Sequence, residues 1–189
     1  MDKFVIRGGN PLQGTVRISG AKNASLALMP ATLLASGTFE LRNTPILRDV
    51  NTMAALLRSM GIASERKEHT LSLETSGINN FEAPYEHVKK MRASVYVLGP
   101  LIARYGRAKV SLPGGCAWGP RPVNLHSDGM AALGAEVGLD AGYITARSAG
   151  RLPGGRCRCE PGSGGATCNG LMAAALAAGE SELDNCAVE

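Results

Sequence analysis

The stretch Ala35-Ser36-Gly37-Thr38-Phe39-Glu40-Leu41-Arg42-Asn43 is answered 142 residues later by Ala177-Ala178-Gly179-Glu180-Ser181-Glu182-Leu183-Asp184-Asn185. In both, a glycine ends an apolar, helix-like run, and a short alternating stretch follows. Alternation of apolar and polar side chains is the period of a strand, and glycine just past an apolar run is a helix stop. Ala35 thus pairs with Ala177, Leu41 with Leu183 and Asn43 with Asn185. A middle copy reads Ile102-Ala103-Arg104-Tyr105-Gly106 and then Lys109-Val110-Ser111-Leu112, its glycine 69 residues after Gly37.

A second helix type recurs outward from these copies. Met53-Ala54-Ala55-Leu56 is matched 77 residues on by Met130-Ala131-Ala132-Leu133. Met53, Leu56, Leu57 and Met60 share one helical stripe, with Asn51 expected as N-cap and Gly61 as stop. The second helix should stop at Gly134. Strands are expected after each, over Thr70 to Glu74 and Tyr143 to Arg147. One unit therefore reads helix, strand, helix, strand, which predicts an α/β fold of repeated units over about 20–77 and 91–150. A third unit, 163–189, has only its first helix and strand, and is expected to be incomplete, because repeats bury their apolar faces only as a set. The helices near Asn23 and Asn169 are apolar almost all round, which places Met29 and Met172 in the core. Pro100 falls inside the helical pattern Met91 to Tyr105 and predicts a kink or break.

Composition bounds the function. With 189 residues the chain fits one large domain or one and a half smaller ones. Hydrophobic residues reach 44% while aromatics are only 4%, so the core must be aliphatic. No apolar run is long enough to cross a membrane, and the N-terminus lacks a signal-peptide core, so a cytoplasmic protein is expected. The net charge of +4 is spread out and aromatics for stacking bases are scarce, which argues against a nucleic-acid surface. Single Lys and Arg residues beside glycine turns suit a small anionic ligand instead. Five irregularly spaced cysteines do not make a disulfide framework. Cys157-Arg158-Cys159, with Cys168 and Cys186 beyond, is a weak metal motif without a second tight pair, so no metal and no cofactor is expected.

Four segments can carry chemistry. Ser111-Leu112-Pro113-Gly114-Gly115-Cys116-Ala117-Trp118-Gly119-Pro120-Arg121-Pro122-Val123 holds one thiol five residues before an arginine. A neighbouring cation favours the thiolate, or a thiol poised to give up its proton. Ser19-Gly20-Ala21-Lys22-Asn23 precedes the first apolar helix, where free N–H groups and Lys22 attract anions. Met91-Arg92-Ala93-Ser94 and Ser163-Gly164-Gly165-Ala166-Thr167 occupy the same place in the second and third units, so the three helix starts would converge on one ligand. No Walker-type loop is present and no G-x-G-x-x-G follows a strand. His126, just past the cysteine loop, is either a ligand or acid or a structural hydrogen-bonding residue. His69 and His87 carry no signal.

Ile18-Ser19-Gly20-Ala21-Lys22-Asn23-Ala24, Met91-Arg92-Ala93-Ser94, Pro113-Gly114-Gly115-Cys116 and Gly119-Pro120-Arg121-Pro122-Val123-Asn124-Leu125-His126 closely resemble the UDP-N-acetylglucosamine 1-carboxyvinyltransferases of the enolpyruvyl transferase family. The likeness covers nearly the whole chain and is strongest up to Leu152. It implies the family fold, an inside-out α/β barrel whose two domains each repeat a βαβαββ unit three times. On that reading 1–19 belongs to a second domain lying outside this chain, with Phe4 to Arg7 as its strand, and 20–189 forms the first. The implied reaction transfers enolpyruvyl from phosphoenolpyruvate to the 3′-hydroxyl of UDP-N-acetylglucosamine, the first committed step of peptidoglycan synthesis. Lys22, Arg92 and Arg121 would surround phosphoenolpyruvate, with Asn23 beside Lys22. Arg121, Pro122, Val123, Asn124 and Leu125 would bind the uridine nucleotide, with Gly164 from the third unit. Cys116 would protonate the methylene carbon and be alkylated by epoxides of the fosfomycin type. The family is about twice this length, with its aspartate base in the part beyond, so this chain alone is expected to be inactive. A half-enzyme that binds a nucleotide sugar or a partner without turnover is the alternative, and a metal-binding fragment the third. Asn124 stands where the family usually has aspartate, Pro161 where it has lysine, and Gly164 where valine is common. Cys157 and Cys159 replace apolar residues, and Arg156 to Gly165 looks poorly suited to a strand.

Overall fold

The computed structural model describes residues 3–112 and 123–188. Residues 3–19 form neither helix nor strand, and Phe4, Val5 and Ile6 stand almost wholly in solvent. Phe4 to Arg7, expected as a strand of a domain outside this chain, pairs with no strand among the described residues.

Helix α1 (Lys22–Ala31) runs into a 3-10 turn (Thr32–Leu34), then strand β1 (Thr38–Leu41). Helix α2 (Arg48–Ser59) leads to the hairpin β2 (Ala63–Lys67) and β3 (Thr70–Glu74). These strands make an antiparallel sheet in the order β1-β3-β2. The stripe on α2 is as expected: Met53, Leu56, Leu57 and Met60 are fully buried, joined by Val50. The helix begins three residues before Asn51, however, with Leu47 at the N-cap position and no side-chain cap. Asn51 lies inside it, because Arg48 and Asp49 already continue the helical pattern and Asp49 complements the positive helix end. Gly61 does end the run, with φ +94°.

The next segment opens with β4 (Glu82–Ala83) and the short helix α3 (Tyr85–Val88). A 3-10 helix (Arg92–Val97) then passes directly into α4 (Leu98–Tyr105). Strand β5 (Arg107–Ser111), helix α5 (Asn124–Ala132) and the hairpin β6 (Glu136–Asp140) and β7 (Tyr143–Arg147) complete it. The sheet order is β4-β5-β7-β6, parallel only between β4 and β5. From β4 to β7 the order is thus strand, helix, strand, helix, strand, strand. The break expected near Pro100 falls earlier, at the Val97/Leu98 junction, and α4 runs through the proline. Proline is tolerated in the first turn of a helix, where its missing N–H has no partner within the helix to lose.

Strand β8 (Gly155–Arg158), helix α6 (Gly164–Ala174) and strand β9 (Ser181–Asp184) end the described chain, with β8 and β9 parallel. The sequence Arg156 to Gly165 was expected to resist a strand, yet Cys157 and Cys159 are buried by β8 and the residue after it. A free cysteine behaves as a small apolar side chain, so it fills the core position the pattern requires. The two repeat ends share one geometry: Asn43 and Asn185 both close their strands in the left-handed region, at φ 53° and 54°. Asparagine tolerates that conformation better than other residues with a Cβ.

Helix α6 packs on α4 and α5, and α1 on α2 and the 3-10 helix Arg92–Val97. Met29 and Met172 are core residues, as expected. The apolar character of α1 and α6 does not bury them all round, since Leu28 and Leu171 are each more than half exposed. Among the described residues no helix is long and apolar enough to cross a membrane.

Candidate functional site

Lys22 and Asn23 form the first turn of α1, whose N-cap, Ala21, offers no side-chain acceptor. The first N–H groups of the helix are thereby left for a ligand or water. Gly20 packs its α-carbon against the Asn43 carbonyl so closely that no side chain fits. That contact sets where the chain enters α1. Lys22 Nζ lies 3.1 Å from Asp49 Oδ2, both groups being partly exposed. Asp49 was not singled out in the sequence; its signal there is only an acid in the first turn of a helix, which is common.

A second cluster forms around His126, which is 8% exposed in the first turn of α5. Asn169 of α6, fully buried, brings its Nδ2 to 2.9 Å from His126 Nδ1. The Tyr96 ring stands 6.2 Å from the imidazole, centroid to centroid. At Gly165 an added Cβ would lie 3.0 Å from Tyr96 Oη and 3.3 Å from His126 Cε1. The two rings leave little room for a side chain at Gly165. Arg92, at the head of the 3-10 helix, acts electrostatically on the same imidazole. Arg92, His126 and the Gly164–Gly165 turn therefore share one neighbourhood, although they are far apart in sequence.

Asn124 begins α5 and is exposed, its Nδ2 donating to Asp128 Oδ2 at 3.2 Å. Val123 holds the N-cap position, and Leu125 is half-buried behind it. Gly164 starts α6, where Ser163 Oγ accepts from the Ala166 N–H. Lys22 and Asn23 join the assembly through α1, which packs on the 3-10 helix. Cys116, Arg121 and Pro122, and with them the expected proximity of the thiol to the cations, lie outside the described residues. A cleft of about 790 Å³ is lined by residues that include Phe81, Tyr105, Arg107, Lys109 and Arg147 and contains none of the expected site residues. Arg107 lies over the Phe81 ring and Lys109 is engaged by the Tyr143 ring and Glu82, so size alone does not make it the site.

Residues 6–189 match the model of the EPSP synthase (3-phosphoshikimate 1-carboxyvinyltransferase) family. This chain belongs to that family. Across its whole length it is 56% identical to a UDP-N-acetylglucosamine 1-carboxyvinyltransferase from Chloroherpeton thalassium and 52% identical to one from Cellvibrio japonicus. It spans 44% and 45% of those proteins, under half of their length. The enolpyruvyl transferase NikO from Streptomyces tendae superposes over 93% of this chain and 41% of its own, with a TM-score of 0.77 at 24% identity. An EPSP synthase from Acinetobacter baumannii does so over 90% and 40%, with a TM-score of 0.71 at 18% identity. At those identities the likeness is one of fold, the mixed α/β fold of enolpyruvyl transferases.

Within this member of the EPSP synthase family, His126 resolves as a structural residue. Burial, with Arg92 second, pushes its imidazole down to about 4 from an ordinary value near 6.5. The unfolded chain therefore binds a proton that the folded chain refuses between those two values. Stability is full above about pH 6.5 and falls as the pH drops toward 4, by on the order of 3 kcal/mol. Urea denaturation between pH 7 and 4 checks this: His126→Asn should flatten the window, and an unchanged slope would count against it.

The cysteines of this family member also sort by position. Burial first, and then Cys159, Cys186 and Asp128, raise the Cys157 thiol above its usual value. A buried thiol held protonated is a packing residue rather than a nucleophile. Among the described residues no group of three ligating side chains has the arrangement of a metal site.

Proposed function

We propose that this chain supplies the phosphoenolpyruvate- and nucleotide-binding portion of a UDP-N-acetylglucosamine 1-carboxyvinyltransferase. The reading rests on one observation above the others: 51–56% identity, over the whole chain, to relatives carrying that name. The cluster of Arg92, His126, Asn124 and the Gly164 turn supports it, because one cation and two helix starts meet there, the arrangement an anionic substrate requires.

In the proposed reaction Cys116 donates its proton to the methylene carbon of phosphoenolpyruvate while the sugar 3′-oxygen bonds to the adjacent carbon and its hydroxyl proton passes to a base. The product of that addition is a tetrahedral ketal that still carries phosphate. Loss of phosphate, with a methyl proton passing to a base, gives the enol ether. Lys22, Arg92 and Arg121 offset the charge of the carboxylate and phosphate, and Asn23 hydrogen-bonds beside Lys22. Arg121, Pro122, Val123, Asn124, Leu125 and Gly164 hold the uridine nucleotide. Fixed cations in a closed site stabilise developing charge far better than water does. The segment 1–19, with its exposed Phe4, Val5 and Ile6, is read as joining a second domain, and 20–189 as a first domain whose third unit is partial.

The test fuses this chain to the part of the Chloroherpeton thalassium relative that lies beyond the match. Phosphate release from phosphoenolpyruvate plus UDP-N-acetylglucosamine is expected from the fusion and not from the 189-residue chain alone. A folded fusion that binds both substrates without releasing phosphate would favour the binding-module reading.

A further inference from the structure

The 3-10 helix carrying Arg92 meets α4 without a loop, and the junction is held in an unusual way. In an uninterrupted α-helix the Gly99 N–H would donate to the Val95 carbonyl, four residues back. Here both groups bond to one side chain, and the Val95 carbonyl also accepts from the Leu98 N–H. The Gly99 N–H donates to Asn169 Oδ1 at 2.7 Å, and Asn169 Nδ2 donates to the Val95 carbonyl at 2.9 Å. The carboxamide of Asn169 is inserted into the ladder, replacing one rung with two bonds to α6. Such insertion is a recognised cause of helix breaks. The next rung is missing as well, because Pro100 has no N–H to give to the Tyr96 carbonyl.

These bonds also settle which way the amide points. A peptide N–H only donates and a carbonyl only accepts, so Oδ1 must face Gly99 and Nδ2 must face Val95. The second Nδ2 proton is then left for His126 Nδ1, 2.9 Å away. Nδ1 accepts, and the ring proton sits on Nε2. A doubly protonated ring would set one N–H against another across that contact.

We infer that Asn169 is a positioning residue of the proposed site: it splices the Arg92-bearing 3-10 helix to α4, fixes His126 as the neutral Nε2–H tautomer, and so holds Arg92 and the first turns of α5 and α6 in one geometry. This rests on the proposed nucleotide-binding reading for its functional half, and on geometry alone for its structural half. Asn169 is fully buried, and touches no ligand in this role.

The experiment is ¹⁵N NMR of the imidazoles in the 189-residue chain, with UDP-N-acetylglucosamine as the binding probe. Wild type should show His126 as Nε2–H at pH 7. Asn169→Asp places an oxygen where the donor was, so it should move the His126 proton to Nδ1 or hold the ring doubly protonated. It should also weaken the probe about tenfold, the worth of one buried hydrogen bond. Leu171→Ala, on the exposed side of the same helix, should do neither. An Nδ1–H tautomer in wild type overturns the inference even if Asn169→Asp does not fold. So does a folded Asn169→Asp chain with unchanged tautomer and affinity. If wild type ignores the probe, the nucleotide-binding reading of this chain fails, and the tautomer result still decides the structural half.

Discussion

Gly99→Ala is expected to lower the melting temperature by roughly 6–12 °C, the equivalent of about 3 kcal/mol in a domain of this size. Its α-carbon lies against Asn169 of α6. An added Cβ would meet the Asn169 main-chain carbonyl and stand 2.6 Å from Asn169 Oδ1. Helix propensity alone predicts the opposite sign, since alanine is favoured over glycine in a helix by about 0.5–1 kcal/mol. The sign of the change therefore decides between local preference and tertiary contact. Differential scanning calorimetry gives the answer, and a melting temperature equal to or above wild type would show that the two helices can separate without cost. The same variant should release the Asn169 bonds to Gly99 and Val95, since α6 must retreat to admit the methyl group.

Cys116→Ser in the fused enzyme described above is expected to cut turnover by about 10²–10⁴-fold, the usual worth of a positioned proton donor. Serine keeps the size of the side chain but is a far weaker acid. Substrate affinities should change much less than turnover, because the proton is needed in the transition state and not for binding. Steady-state phosphate release measures both quantities. An epoxide phosphonate should alkylate the wild-type chain at this position faster when UDP-N-acetylglucosamine is present, and should leave the serine variant unlabelled. Equal turnover in the two proteins would remove Cys116 from the chemistry and leave its place in the proposal empty.

The helices and strands were legible wherever periodicity was strong. The stripe Met53, Leu56, Leu57 and Met60 is buried as its spacing requires, and the strands Thr70–Glu74 and Tyr143–Arg147 form where they were expected, each paired with a preceding hairpin strand, Ala63–Lys67 or Glu136–Asp140, that the sequence reading missed. Boundaries were less legible. Asn51 looked like a cap, but α2 continues to Arg48 without any side-chain cap, so the choice of start was made by packing. Cys157 and Cys159 looked foreign to a strand because cysteine is read first for its chemistry, whereas here it serves by volume. His126 was open between a chemical and a structural role, and its burial beside Asn169 assigns the structural one.

What the order of residues determined by itself is the set of local elements, the recurrence of Asn43 at Asn185, and membership of the EPSP synthase family. Each of these depends on neighbours within a turn or two, or on motifs copied intact. Only the tertiary structure decided that Asp49 would pair with Lys22, and that the Asn169 amide would complete the ladder between Val95 and Gly99. Those bonds join residues 27 to 74 positions apart, across helices whose relative placement follows from how their aliphatic faces pack. Local periodicity carries no record of which distant polar group will be buried opposite a broken helix, and that meeting of groups is what sets the geometry of the site.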